Sequence, residues 1–159
     1  MAIPSLATLS VEPIPSLSDE INKIRADTAE IVGEHIIPDE DRLSVPGNER
    51  DSLVHDLQGF VKSRGLWAPH LPKEYGGMGV GFLGHAYMNE ILAWSPFSNS
   101  IFGVQAPTSG NQTVLIKYGT EAQKRKFLDP TISGEETSCF SMTEPDNPGS
   151  DPRSLQTKA

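Results

Sequence analysis

The sequence has 159 residues, a length that suits one domain with its own buried core. Thirteen basic and 21 acidic side chains give a net charge of −8, so we expect no nucleic-acid partner, because its phosphates would be repelled. No stretch approaches the roughly 20 consecutive apolar residues that a membrane helix needs, so we expect no membrane span. The first basic residue is Lys23, and the sequence shows no clear targeting signal, which leaves the compartment open between mitochondrial, peroxisomal and cytoplasmic.

The chain begins with a proline- and serine-rich stretch, residues 1–17, over which we predict a flexible arm. A first helix is predicted from Ser18, whose hydroxyl suits an N-terminal cap, to Pro38, which ends it. A second helix is predicted over 48–65 and a third over 82–94. The predicted core side chains lie at helical spacing on one face of each helix: Ile21, Ile24, Ile31 and Val32 on the first, Leu53, Leu57, Phe60 and Val61 on the second, and Leu83, Tyr87, Ile91 and Leu92 on the third.

The remaining predicted elements are two further helices and one strand-like stretch. A fourth helix is predicted over 99–118, interrupted around APTSG, and a fifth begins in TEAQ, where Thr120 and Gln123 suit a capping box, and stops near Pro130. We therefore predict a mainly α fold with a helical bundle over 18–135. The stretch TSCFSMT then alternates as a strand does, but a single strand is not stable alone. Residues 136–159 therefore either pack onto the bundle or begin a second domain whose sheet lies outside this chain.

Three other features are better explained as structure than as chemistry. The run GVGFLG matches a dinucleotide-binding pattern, but a proline- and glycine-rich loop precedes it where that pattern needs a strand. The four histidines show no i, i+4 pair and no neighbouring cysteine, so we expect no metal site. The single cysteine, Cys139, has no cationic neighbour in the sequence and is interpreted as a small core residue.

The stretch SCFSMTEPDNPGSDP is the best candidate for a binding site. Its prolines stiffen the backbone, and Gly149 lets a ligand approach the main chain. Phe140 and Met142 project from one face of the alternating run, and an aromatic ring with a thioether suits a planar aromatic cofactor. The hydroxyls of Thr143 and Ser150 flank the loop. The alternative is a strand followed by a proline-rich turn that binds nothing.

The chain from residue 53 onward resembles the acyl-CoA dehydrogenase family. The segment TEPDNPGSDPRSLQTKA resembles the family's flavin-binding segment, with the spacer DNP one residue longer than the common form. The blocks GLWAPHLPKEYGGMG, QAPTSGN, KYGTEAQKRKFLDP and ISGEETSCFSMTEP precede it in the family's order. QAPTSGN resembles the branch typified by the vertebrate members ten and eleven, which implies a long or branched acyl chain. The resemblance implies the family's N-terminal α-domain over 18–135, followed over 136–159 by the first strand of a truncated middle β-domain.

The resemblance also implies a cofactor, a substrate and a reaction. FAD is the implied cofactor, with Phe140, Met142 and Thr143 against its isoalloxazine ring and with Gly149 and Ser150 closing the loop over it. Ser150 is also implied to touch the acyl-CoA substrate. Such enzymes oxidise an acyl-CoA thioester to a trans-2-enoyl-CoA and pass the electrons to an electron-transfer flavoprotein. A complete protein of this kind is implied to be a homo-oligomer.

No catalytic residue is assigned in this chain. The family's catalytic glutamate belongs to a C-terminal helical domain, so the base is expected beyond Ala159 and the chain alone is expected to be inactive, with weak flavin affinity. Two alternatives stay open. One is a fragment of an acyl-CoA oxidase or a flavin-dependent hydroxylase of the same fold, and hydrogen peroxide production by the complete protein would identify the oxidase. The other is a non-enzymatic interaction module.

Overall fold

Helices form the architecture of this chain, and the computed structural model describes residues 9–158. The α-helices are α1 (Asp19–Ile31), α2 (Glu40–Leu43), α3 (Asn48–Ser63), α4 (Gly81–Leu92), α5 (Ser98–Ile101), α6 (Thr108–Tyr118), α7 (Glu121–Gln123) and α8 (Asp129–Ser133). Two π-helical turns, Val32–Ile36 and Lys124–Leu128, and three 3-10 turns, Ile37–Asp39, Lys73–Tyr75 and Pro152–Ser154, lie between or after them. The predicted mainly α fold is confirmed.

The first helix begins as predicted but does not end at Pro38. Ser18 caps α1, because its hydroxyl oxygen accepts a hydrogen bond from the Ile21 amide at 3.3 Å. After α1 the chain enters a π-helical turn, in which the Ile37 amide donates to the Val32 carbonyl five residues back. Pro38 lies in the first turn of the 3-10 segment that follows, where its missing amide hydrogen costs nothing. The proline therefore starts a new turn, and the helical path continues into α2.

Residues 9–17 of the predicted flexible arm lie against α1. The Asn22 side-chain oxygen accepts from the Ile14 amide at 2.9 Å, and the Asn22 amide group donates to the Ile14 carbonyl at 3.0 Å. Arg25, which is buried, donates to the Glu12 carbonyl at 3.0 Å. These side chains satisfy backbone groups that the irregular stretch cannot pair by itself. This part of the predicted arm is therefore attached to the bundle, and residues 1–8 lie outside the described residues.

The core lies where α1, α3, α4 and the loop after α3 meet. Its buried apolar side chains are Ala29, Ile31, Val32, Ile36, Leu43, Leu57, Val61, Leu66, Trp67, Ala68, Leu71, Met88, Ile91, Leu92, Ile101 and Phe102. The predicted core positions of the first two helices are all buried or half-buried.

On α4 the buried face differs from the prediction. Met88, Ile91 and Leu92 are buried, whereas Leu83 is 56% exposed and Tyr87 is half-buried. The predicted burial of Leu83 was wrong. Because α4 carries apolar side chains on nearly every side, helical spacing alone does not select the stripe that packs against α1.

The predicted fourth helix is two helices, and the fifth begins as predicted. α5 is one turn long, and α6 begins at Thr108, inside the stretch predicted as an interruption. The Gln123 amide donates to the Thr120 hydroxyl oxygen at 3.3 Å, and the Thr120 amide donates to the Gln123 side-chain oxygen at 2.8 Å, which is the predicted capping box. Pro130 does not end this helical stretch, because it lies in the first turn of α8.

The strand predicted at 137–143 does not form in this chain. These residues are extended, but no strand pairs with them among residues 9–158. A strand needs a neighbouring strand to satisfy its backbone groups. Of these residues, Ser138, Cys139 and Phe140 contact the bundle, and the start of a β-domain over 136–159 stays a prediction.

Candidate functional site

The candidate segment lies along the N-terminal half of α6. The Ser138 amide donates to the Thr108 hydroxyl oxygen at 2.9 Å, and the Asn111 side-chain amide donates to the Ser138 hydroxyl oxygen at 2.9 Å. Asn111 also reaches the Cys139 carbonyl at 3.4 Å. Cys139 itself is exposed, so its predicted place in the core was wrong. These hydrogen bonds attach the start of the segment to the bundle.

The Cζ atom of Phe140 faces Gly110 of α6, and most of the ring is exposed. A Cβ atom at Gly110 would stand 3.7 Å from Cζ of Phe140, so the ring lies where the helix has no side chain. Phe140 is nevertheless 60% exposed, and Met142 is 38% exposed. An aromatic ring that is mostly exposed suits stacking against a planar ligand.

A tight turn follows the extended residues. The Glu144 amide donates to the Asn147 carbonyl at 2.9 Å, and the Asn147 amide donates back to the Glu144 carbonyl at 3.2 Å. The Asn147 side-chain oxygen then accepts from the Gly149 amide at 3.1 Å. Gly149 has a φ of +76°, and a Cβ atom there would stand 2.6 Å from the Met142 carbonyl oxygen, so both conformation and space require glycine. The turn thus folds Gly149 back onto Met142.

The Glu144 side chain accepts several hydrogen bonds within this loop. Its carboxylate accepts hydrogen bonds from the Gln156 amide at 3.0 Å, from the Thr157 amide at 2.6 Å and from the Thr157 hydroxyl. The Thr157 hydroxyl and then the two amides lower the pKa of Glu144 below its usual value. A carboxylate that three donors hold ionised is a poor proton acceptor, so Glu144 anchors the loop and is not a candidate for a general base.

The structure brings together some of the predicted cofactor-facing residues. Met142, Thr143 and Gly149 are neighbours, since the Gly149 position lies against the Met142 carbonyl and the Thr143 amide. Phe140 faces Gly110 of α6, and Ser150 is exposed next to Gly149. Their roles toward FAD stay a prediction.

No role was predicted for the α6 residues that lie against the segment, which are Thr108, Gly110 and Asn111. All three lie in QAPTSGN, a block that was noted for its resemblance alone. A hydroxyl, a glycine and an amide within four residues are the one local signal that could have pointed to them. That signal does not indicate which segment these residues contact, because the segment lies about 30 residues further along the chain.

Comparison with known proteins identifies the family. The sequence profile "Acyl-CoA dehydrogenase, N-terminal domain" matches residues 18–135, which is most of the chain. This chain belongs to the acyl-CoA dehydrogenase family. The resemblance noted from the sequence blocks is thereby confirmed.

Relatives within the family are much longer than this chain. Mouse "Acyl-CoA dehydrogenase family member 10" is 32% identical over 151 residues, which cover 88% of this chain and 14% of that protein. Human "Acyl-CoA dehydrogenase family member 11" is 33% identical over 132 residues, covering 77% of this chain and 16% of that protein. A solved structure from Mycobacterium abscessus, named as an acyl-CoA dehydrogenase, matches with a TM-score of 0.76 and 28% identity, covering 87% of this chain and 38% of that one.

A second cluster in this acyl-CoA dehydrogenase chain joins residues that are far apart in sequence. The ring centroids of His70 and His85 are 5.9 Å apart, and His70 Nε2 lies 2.8 Å from the Gln112 side-chain oxygen. The Gln112 amide group donates to the Thr131 carbonyl at 2.9 Å, which leaves its oxygen to accept from His70. His70 therefore carries its proton on Nε2. Its buried Nδ1 atom has no hydrogen-bond partner among the described residues.

Burial lowers the pKa of both imidazoles. For His70 the hydrogen bond with Gln112 opposes this effect, and for His85 the charge of His70 adds to it while a hydrogen bond with Asn89 opposes it. Across residues 9–158, no group of three or more His, Cys, Asp or Glu side chains lies close enough together to hold a metal ion.

A cleft of about 510 Å³ lies between α3, the loop before α6 and residues 131–137. Its charged or aromatic lining residues are Arg50, Asp51, His55, Trp67, Glu135 and Glu136. None of the five predicted cofactor-facing residues lines it. In the part of the chain that the structure describes, no helix combines the length and the apolar character needed to cross a membrane.

Proposed function

We propose that this chain supplies one wall of the flavin site in an FAD-dependent acyl-CoA dehydrogenase, an oxidoreductase of fatty acid metabolism that converts an acyl-CoA thioester to a trans-2-enoyl-CoA. The observation that carries the proposal is the Phe140 ring, which rests on α6 and is 60% exposed. The family match supports the same class of reaction.

Each residue of the segment has a part in this proposal. Phe140 and Met142 contact the flat isoalloxazine ring, and Thr143 hydrogen-bonds its polar edge. Gly149 lets the backbone approach the cofactor, and Ser150 closes the loop and touches the acyl-CoA. When bound, FAD would accept the hydride that leaves the substrate β-carbon.

The base that removes the α-proton lies outside this chain in our proposal. Glu144, the glutamate within the segment, accepts hydrogen bonds from the chain's own backbone and is not free for that task. The chain alone is therefore expected to bind FAD weakly and not to reduce it with an acyl-CoA. An acyl-CoA substrate, an electron-transfer flavoprotein as acceptor and a homo-oligomeric assembly are proposed for the complete protein.

Titration of the purified chain with FAD, followed by flavin fluorescence and visible circular dichroism, tests the proposal. We expect the flavin spectrum to change on binding. Phe140→Ala should weaken the affinity about tenfold, because it removes an aromatic pair worth roughly 1 kcal/mol together with the apolar area that the pair buries, and about 1.4 kcal/mol is a factor of ten. Phe82→Ala is the matched control. It removes a ring that is 89% exposed on α4 and makes no contact with the segment described above, so the affinity should not change.

Three results would count against the proposal. If FAD shows no spectral change, or if both substitutions alter its affinity equally, this segment is not a flavin site. If the chain alone reduces FAD with an acyl-CoA, the base is not outside the chain.

A further inference from the structure

α6 provides the hydrogen-bond partners that a neighbouring strand would provide for an extended segment. Among the described residues, the backbone groups of 137–143 that find partners in the bundle do so through the side chains of Thr108 and Asn111. Two hydrogen bonds at one end of an extended run fix where the run begins and which way its side chains point.

The contacts of these two side chains converge on Ser138. Thr108 is buried, and its hydroxyl oxygen lies 2.9 Å from the Ser138 amide nitrogen and 3.4 Å from the Ser138 hydroxyl oxygen. Asn111 donates to the same Ser138 hydroxyl and to the Cys139 carbonyl. Ser138 and Cys139 are therefore held on α6 directly before Phe140.

Gly110 lies between the two side chains on α6 and sets how closely the Phe140 ring approaches the helix. The 3.7 Å between a Cβ atom at this position and Cζ of Phe140 is an ordinary contact distance, so alanine fits. A branched side chain adds atoms beyond Cβ next to the ring, so we expect it to displace the ring.

We propose that Thr108, Gly110 and Asn111 are positioning residues that set the height and tilt of the Phe140 ring against an isoalloxazine ring on its open side. This inference rests on the proposed function and adds to it: the QAPTSGN block, in the helical part of the chain, builds the support for the flavin-facing segment. The three residues act through Phe140 and do not touch the flavin.

Two matched pairs of substitutions in the 159-residue chain test the positioning role. Thr108→Val keeps the side-chain shape but removes the acceptor for the Ser138 amide, whereas Thr108→Ser keeps the hydroxyl. Gly110→Val pushes the Phe140 ring away, whereas Gly110→Ala keeps an ordinary contact and raises helix propensity. For each variant, three quantities are measured: the hydrogen-exchange rate of the Ser138 amide, the Kd for FAD and the urea midpoint of unfolding.

We expect Thr108→Val to speed exchange of the Ser138 amide and to raise the Kd for FAD, each about tenfold, with Thr108→Ser close to the original chain. Gly110→Val should raise the Kd about tenfold, with Gly110→Ala close to the original chain. Since Gly110→Ala tests the helix without moving the ring, a difference within this pair reports the position of Phe140.

The outcomes separate this inference from the function on which it rests. If the original chain binds FAD and all four variants bind it equally well, the positioning role is wrong and the flavin site stands. If both members of a pair lose affinity in step with the urea midpoint, the residues are merely structural and the inference is overturned. If the original chain binds no FAD, the proposed function fails and this inference fails with it, even if Ser138 is protected from exchange.

Discussion

Glu144 shows that residues distant in the sequence can decide the environment of a single side chain. In the sequence it is one of two residues that precede Pro145 in a Thr-Glu-Pro step, with nothing to indicate its environment. In the structure its carboxylate accepts hydrogen bonds from Gln156 and Thr157, more than ten residues further along the chain. The same loop brings Gly149 onto Met142, so the carboxylate and the turn together hold the end of the described chain.

The lowered pKa of Glu144 predicts that the hydrogen bonds from Gln156 and Thr157 to its carboxylate are weakened in acid. Because the hydrogen bonds favour the ionised carboxylate, their stabilisation is fully present above the ordinary carboxyl pKa of about 4.3 and is lost as the pH falls through the lower folded-state pKa. We expect the Thr157 amide to stay protected from hydrogen exchange at a pH of about 4.5 and to lose protection in more acidic solution. Glu144→Gln, which cannot ionise, should show no such transition, and an identical acid transition in this variant would contradict the assignment.

At the scale of elements, α4 shows what decides the buried face of an apolar helix. One stripe carries the adjacent residues Phe82 and Leu83, and the other, longer stripe carries Met88, Ile91 and Leu92 at helical spacing. α1 packs against the second stripe, so Leu83 stays exposed. Burying the longer stripe removes more apolar surface from water.

Two substitutions on α4 test this face. Met88→Ala should lower the free energy of unfolding by about 2–5 kcal/mol, because it leaves a cavity in the core. Leu83→Ala should change it by less than about 0.5 kcal/mol, because that side chain is mostly solvated. Urea denaturation of the two variants measures both values, and equal losses would mean that the buried face is assigned wrongly.

At the scale of the whole molecule, the histidine cluster connects four separate parts of the chain. His70 lies in the loop after α3, His85 on α4 and Gln112 on α6, and Gln112 continues the connection to Thr131 in α8. The pKa of His70 is shifted by burial and by the neutral side chain of Gln112, and that of His85 by burial, by the charge of His70 and by the neutral side chain of Asn89. No carboxylate is among the groups that shift these pKa values, so no negative charge stabilises the protonated form of either ring.

This arrangement predicts that acid weakens the bundle. Because folding lowers both pKa values, the unfolded chain binds protons more readily, and the free energy of unfolding decreases as the pH falls below the ordinary histidine pKa of about 6.5. Urea unfolding at pH 7.5 and about 5.5 should show this loss, and His85→Gln should reduce it. His55→Gln, which changes an exposed histidine on α3, should leave it unchanged. A chain that is equally stable at both pH values would refute the prediction.

The sequence by itself determined the local features of this protein. Helix starts were predicted correctly at Ser18 and at Thr120, because a cap is formed by residues three positions apart. The family was also recognisable, because its blocks are continuous in the sequence. The predicted helix end at Pro38 was wrong, and the helical stretch predicted to stop near Pro130 continues to Ser133. In both places proline is accepted in the first turn of a new helical segment.

Only the tertiary structure decided the features that join distant residues. Whether TSCFSMT forms a strand depends on a partner strand, and among the described residues its partners are instead two side chains of α6. The support of Phe140 by Gly110, the pairing of His70 with His85 and the buried face of α4 likewise each depend on contacts with another element. Spacing along a chain specifies which side chains share a face of one element, but not which other element covers that face.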